Sequence, residues 1–337
     1  MRATIRDVAK QAGVSHTTVS WVIHNDPRIT PQTKEKVLKV IAEMNYHPNY
    51  LARSLVRGRT NTIAVIASFF SSGFEIEILK GFDMGFETMG FPYNINLYST
   101  RGSESQKDRL LNQILYGKMA DSVILLSLKM KENMLKEFHK NQIPVVLIEE
   151  KMPDAHVVKT DNEKGAYLAV EYLIKKGKRK IGLFIGSLKG EESGLSPRER
   201  LTGYKKALKD YNIEYEESRI VEIEKYYFED GQKALKSIIE RKAEIDSIFC
   251  AAGDMVAMGV LRETQLRGIK VPDDLSIIGY DNIVTSSLVT PSLTTVKQPI
   301  RILGITALKM SIDAVENRGT ERKQMVFEPE LIVRNST

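Results

Sequence analysis

Beyond residue 60 the chain alternates two kinds of segment, and this alternation constrains its fold more than any other feature. Short apolar runs rich in branched side chains stand at residues 63–67, 93–98, 122–126 and 145–148, and again at 181–185, 220–222, 248–251 and 276–279. Between them lie longer stretches, such as 74–89 and 105–116, whose apolar residues recur at helical spacing. Short runs that are apolar throughout read as strands buried on both faces, so the intervening helices cover parallel sheets from both sides. A break near Asp161 separates the two series and predicts two doubly wound α/β subdomains. Ligands in such folds sit beyond the carboxyl ends of the strands, here in the cleft between the blocks.

The first sixty residues differ in kind. They carry ten Lys and Arg against four Asp and Glu, which accounts for the whole net charge of +6; the other 277 residues hold 39 of each sign. His16, His24 and His47 also fall here, three of the five histidines. A small basic module before a neutral body points to a polyanion, and nucleic acid is the first candidate.

Thr4 with Asp7 three residues later opens a helix, and Ile5, Val8, Ala9 and Ala12 form its apolar stripe. Gly13 breaks the pattern, and Ser15 caps a second helix from His16 to about Ile23 with Val19, Val22 and Ile23 facing inward. Ala9, Gly13 and Val19 together supply a close crossing, a turn with positive φ and an apolar lock, which is the helix-turn-helix pattern. Thr30-Pro31 starts a third helix with Val37, Leu38, Val40, Ile41 and Met44 on its core face. A helical hairpin for protein contacts is the other reading of this segment. Pro48 then stops that helix, and Asn49 caps a short basic segment ending at Gly58. Such a segment folds only when docked, and a leucine flanked by arginines resembles a minor-groove wedge; the alternative is a linker.

Composition excludes several classes. With 42% hydrophobic and 27% charged residues the chain is globular. Cys250 is the single cysteine, so an intrachain disulfide and a multi-cysteine metal site are both excluded. The N-terminal residues show no signal-peptide core and no apolar run is long enough for a membrane span, so a cytoplasmic protein is expected. The body has only His139 and His156, no nucleophile elbow and no phosphate-binding Gly-Lys loop, and its glycines at 186–194 lack dinucleotide spacing. Neither an enzyme nor a cofactor is expected.

The run Thr4-Ile5-Arg6-Asp7-Val8-Ala9, Ala12-Gly13-Val14-Ser15, Thr18-Val19-Ser20 and Pro48-Asn49-x-x-Ala52-Arg53-Ser54-Leu55 closely resembles the head and hinge of the LacI/GalR family of bacterial repressors. The similarity continues through Asp161-Asn162-x-x-Gly165, Arg200-Leu201-x-Gly203-Tyr204, Gly253-Asp254-x-x-Ala257 and Pro272-Asp273-Asp274-Leu275 to Pro291-x-Leu293-Thr294-Thr295. The resemblance implies a helix-turn-helix head over 1–46, a hinge helix over 47–60 and a periplasmic-binding-protein-like body over 61–337. It implies crossovers near Asp161, Pro291 and Arg322, hence an N-subdomain of 61–160 plus 291–322 and a C-subdomain of 161–290 plus 323–337. His16, Thr17 and Thr18 would read bases, Ser15, Ser20 and Thr33 would hold phosphates, and Leu55 would be the wedge with Ala52 beside it. Thr4, Trp21, His24, Asn49 and Arg53 complete the expected DNA-facing set. Trp21 stands where the family usually has arginine, and His24 where asparagine is common. An indole cannot make arginine's bidentate contact with guanine, so either a changed base preference or packing of Trp21 on the sugar-phosphate backbone is expected.

Cleft candidates are polar or aromatic residues just past strand ends: Phe74, Glu149, Ser196, Arg200, Tyr226, Asp254 and Asp281. Two rings, carboxylates and an arginine suit a polyhydroxylated ligand. Asp281 also reads as a turn residue, Arg200 as a helix salt bridge and Asp254 as a structural cap. Gly253 replaces an asparagine common in sugar-responsive members, which keeps a purine or other metabolite open, and Glu149 replaces a shorter aspartate. The expectation is an operator-binding, effector-controlled repressor acting as a homodimer, since no leucine heptad trails the body. A transporter's solute receptor shares the body fold but has no use for residues 1–60.

Overall fold

The structure, a computed structural model, describes residues 3–23, 25–47, 59–90, 93–189, 194–317 and 321–337. It divides into two units, Met1–Thr60 and Asn61–Thr337. In the first, helices α1 (Ile5–Ala12), α2 (His16–Ile23) and α3 (Pro31–Glu43) pack around Val8, Ala12, Val19, Val22, Val37 and Val40. Thr4 and Asp7 cap α1 reciprocally, and Gly13 ends it with φ +62°. That left-handed turn sends the chain directly into α2. Leu38, expected in this core, is 45% exposed; Tyr46 is buried instead. The period of α3 turns Val37 and Val40 inward and leaves Leu38 on the outer face.

The second unit begins with β1 (Thr62–Ala67), α4 (Gly73–Met89), β2 (Asn94–Ser99), α5 (Glu104–Tyr116), β3 (Ser122–Leu126), α6 (Glu132–Lys140), β4 (Val145–Ile148) and β5 (His156–Thr160). It continues with α7 (Asn162–Lys175), β6 (Ile181–Gly186), α8 (Leu195–Asp210), β7 (Ile220–Ile223), α9 (Phe228–Glu240), β8 (Ser247–Cys250), α10 (Asp254–Arg267), β9 (Ser276–Asp281) and β10 (Thr294–Lys297). Helix α11 (Ile300–Glu316) and strands β11 (Gln324–Phe327) and β12 (Glu330–Ile332) close the chain. One sheet has the order β11-β5-β4-β3-β1-β2, all parallel; the other runs β12-β10-β9-β8-β6-β7, with β12 antiparallel to β10. Both sheets bury two faces. In β1, Ile63, Val65 and Ala67 pack toward α4 and α11, while Ala64 and Ile66 pack toward α5 and α6. Likewise Ile181, Leu183 and Ile185 of β6 face the α7–α8 core and Phe184 the α9–α10 core.

The chain crosses between the sheets three times: after β5, between β10 and α11, and between β11 and β12. The second and third crossovers fall later than the expected Pro291 and Arg322. Thr294–Lys297 pairs in register with Ile278–Asp281 and so belongs to the second sheet, whereas Gln324–Phe327 pairs with Val157–Thr160 in the first. No helix among the described residues is long and apolar enough to cross a membrane.

Candidate functional site

Two surfaces carry the expected residues. In the head, the Ser15 hydroxyl accepts from the Thr18 backbone N–H at 3.0 Å and lies 2.9 Å from the Thr18 hydroxyl. Thr18 is thereby half-buried in its own cap, while His16 and Thr17 stand exposed at the start of α2. Backbone N–H groups of a helix's first turn lack intrahelical acceptors and attract anions. Thr33 closes the α3 cap with Thr30, and Thr4 closes that of α1, so their hydroxyls order helix ends. Ser20 is half-buried on α2. Trp21 is half-buried too, and the Arg28 guanidinium lies 4.5 Å above its ring. Asp26 grips that guanidinium from the side, at 2.9 Å and 2.7 Å, and Arg28 pulls the Asp26 carboxyl down to about 2. One face of the indole is therefore already covered. His24, Asn49, Ala52, Arg53 and Leu55 lie outside the described residues.

In the body, a cavity of about 380 Å³ opens between the two sheets at the carboxyl ends of their strands. Phe74, Glu149, Ser196, Arg200, Tyr226 and Asp281 all line it. Their scaffold is one polar network. The Glu149 carboxylate accepts from the Thr160 N–H at 2.7 Å, the Asn162 amide at 2.5 Å and the Ser196 hydroxyl at 2.8 Å. Arg200 donates to Asn162 Oδ1 at 2.8 Å and to the Ala251 carbonyl at 2.6 Å, with its guanidinium 3.7 Å over the Tyr280 ring. Arginine is thus held flat and oriented before any ligand arrives. Glu149 comes from the first sheet and Ser196 and Arg200 from helix α8 beside the second, so the network also ties the subdomains together.

Three of these lining residues take left-handed backbone conformations. Glu149, Tyr226 and Asp281 all have positive φ, with Asp281 at +104°. Side chains placed from such conformations are aimed by surrounding structure, not by local preference. Burial pushes the Asp281 carboxyl up to about 6, against the opposing pull of Arg200, and Gln298 donates to it at 2.6 Å. Burial also raises the Tyr226 phenol.

Asp254 is not part of the lining. It is fully buried at the start of α10, where its carboxylate accepts from the Thr295 hydroxyl at 2.6 Å and the Ile283 N–H at 2.9 Å. It anchors the loop that follows Asp281. Gly253 has φ +113° and ψ 165°, a region essentially closed to residues with a Cβ, and an added Cβ would meet an Asp281 oxygen at 3.0 Å. The glycine is a backbone requirement here. Three contributors escaped the sequence reading: Glu75, which lines the cavity, and Asn162 and Tyr280, which orient Arg200. Asn162 and Tyr280 both lie in segments that resemble the family, beside Asp161 and Asp281, whereas Glu75 carries no such signal.

Residues 4–49 match the family described as bacterial regulatory proteins, lacI family, and residues 170–337 match the periplasmic binding protein-like domain. The transcriptional regulator DegA of Bacillus subtilis (strain 168) is 34% identical over 342 residues, spanning 100% of this chain and 98% of its own. Among solved structures, the CelR–cellobiose complex is 28% identical, covers 100% of both chains and has a TM-score of 0.74. The lac repressor dimer bound to operator and the anti-inducer ONPF shares the fold with a TM-score of 0.85 at 24% identity, over 100% of this chain and 99% of that one.

Proposed function

Because the chain belongs to the lacI family of bacterial regulatory proteins, we propose that it is a homodimeric transcriptional repressor whose operator affinity is set by a small molecule bound in the cleft of the body. It regulates transcription and is not an enzyme, as its relatives are regulators. The observation that carries the reading is the preorganised Arg200–Asn162–Glu149 network beside Asp281 in a cavity sized for a sugar. Pockets for small molecules span about 300–1,000 Å³. Phe74 and Tyr226 offer rings to the apolar face of a pyranose, and carboxylates and arginine offer paired contacts to its hydroxyls. The cellobiose complex of CelR, which shares the fold, supports a sugar. A purine is the second reading, favoured by Gly253, which brings no side-chain amide to the cleft.

The head, residues 1–46, reads the operator from the α2 start through His16, Thr17 and Thr18, while Thr4, Ser15, Ser20, Trp21 and Thr33 meet the phosphate backbone. Residues 47–60, with Asn49, Ala52, Arg53 and Leu55, form the hinge, and His24 completes the head surface. The protein works in the cytoplasm, where its operator lies. A ligand alters operator affinity only by binding one cleft geometry better than the other. The test is selection of duplexes from a random library by the full chain, followed by titration of the selected site with a panel of neutral sugars, amino sugars and purines. A pseudo-palindromic site whose affinity shifts on adding one member of the panel is expected. Absence of any selected duplex at low salt would overturn the function.

A further inference from the structure

The cavity holds an unusual charge arrangement. Glu75 sits in the first turn of α4, on the first subdomain, and Asp281 ends β9 in the second. Both line the one cavity, and the start of α4 abuts the loop that follows Asp281: a Cβ on Gly73 would meet the Ile283 side chain at 2.9 Å. Glu75 is bonded by the Ser72 hydroxyl of its own helix start, and the charge acting on it across the cleft is the like charge of Asp281. Around the pair stand Tyr226 from the loop after β7 and Arg200 of α8, and the latter acts on Asp281 and Tyr226. Arg200 is already engaged by Asn162, a carbonyl and Tyr280. Of the lysines lining the cavity, Lys107 pairs with Glu104 at 2.6 Å and Lys189 with Glu222 at 3.6 Å, Lys129 acts on Glu150, and Lys225 stands next to Tyr226; Glu149 adds a further like charge acting on Asp281.

Two carboxylates from opposite subdomains, facing one cavity, repel each other when the cleft is empty. A cation placed between them removes that repulsion and draws the subdomains together. We propose that the effector is a polyhydroxylated molecule bearing a protonated amino group, an amino sugar in chemical class, with its ammonium held between Glu75 and Asp281. This rests on the cleft being the effector site. The arrangement makes Glu75 a specificity determinant: a neutral sugar leaves the like charges facing each other, whereas the amine bridges them. It also couples binding to a proton. Burial and Asp281 hold the Glu75 carboxyl up at about 7, so near neutral pH an incoming ammonium displaces a proton from it.

Calorimetric titration of the full chain with matched sets tests this, each set being a neutral sugar, its 2-amino-2-deoxy form and the N-acetyl form, in the glucose, galactose and mannose series. At least one amino sugar should bind about tenfold more tightly than its neutral and acetylated partners. That preference should collapse in Glu75→Gln and persist in Glu75→Asp, with circular dichroism reporting that both fold. In buffers of different ionisation enthalpy near pH 6.5, binding should release more proton from the wild type than from Glu75→Gln, where only Asp281 is left to give one up. If no amino sugar exceeds its partners, including the case in which none binds, or if the preference survives Glu75→Gln, the inference falls. A neutral sugar that shifts operator affinity would overturn this inference and leave the repressor function standing.

Discussion

Asp281 shows how much a single residue's meaning depends on its surroundings. In sequence it follows an apolar run as a cleft candidate and also reads as a turn former. In the fold its backbone is at φ +104°, its carboxyl is held by Gln298, and burial lifts its pKa from 3.8 to about 6. An acid whose folded pKa is raised favours the folded state most below its unfolded pKa, and that contribution is lost as pH rises through the folded value. The wild type should therefore lose stability between about pH 4 and pH 7 relative to Asp281→Asn, by about 1 kcal/mol because the group borders a solvent-filled cavity. Thermal unfolding of both proteins across that range reads the difference; a constant gap would show that the carboxyl is not perturbed. Six of the seven cleft residues were legible because strand ends predict where side chains converge. Asp254 was placed by the same rule, yet its carboxylate points into the Thr295 and Ile283 partners beneath the floor. Glu75 was not legible, since an acid in a helix's first turn reads as an ordinary answer to the helix dipole. Only the packing of α4 against the Ile283 loop gives it a different role.

At the scale of elements, punctuation decided what could be read. Capping residues announced all three head helices: Thr4, Ser15 and Thr30 each accept from the expected backbone N–H. Apolar runs announced eight strands, the edge strands β2 and β7 among them. The strands beside the crossovers stayed hidden: β5 and β10 mix polar residues into their runs, and β11 carries Met325 and Val326 at 41% and 57% exposure and offers no buried run to detect. Without β11 the positions of the last two crossovers could not be placed from pattern alone. The head has a small core, so each cap weighs heavily there. Ser15→Ala removes the acceptor for the Thr18 N–H at the start of α2 and should destabilise the head by about 1 kcal/mol. Amide hydrogen exchange on the full chain should show faster exchange in α2 and the helices packed on it, with the body unchanged. Unaltered protection of α2 would mean that its start is fixed by other contacts.

For the whole molecule the governing fact is the separation of charge from sensing. The neutral body has no electrostatic reason to approach DNA, while the first sixty residues carry the full excess of +6. Each phosphate that a Lys or Arg neutralises releases condensed counterions, and the logarithm of affinity falls by about 0.9 per phosphate for each tenfold rise in salt. A dimer presents two such heads, so operator affinity should drop steeply between about 50 and 200 mM salt, with non-specific affinity falling in parallel. Effector affinity should change far less over the same range, because the cleft's charges are partly buried and screened weakly by mobile ions. Fluorescence anisotropy with a labelled operator, alongside calorimetry of the effector, measures both slopes on one preparation. A salt-insensitive operator complex would place DNA recognition outside the basic head, and an effector slope as steep as the DNA slope would deny that the two halves are electrostatically independent.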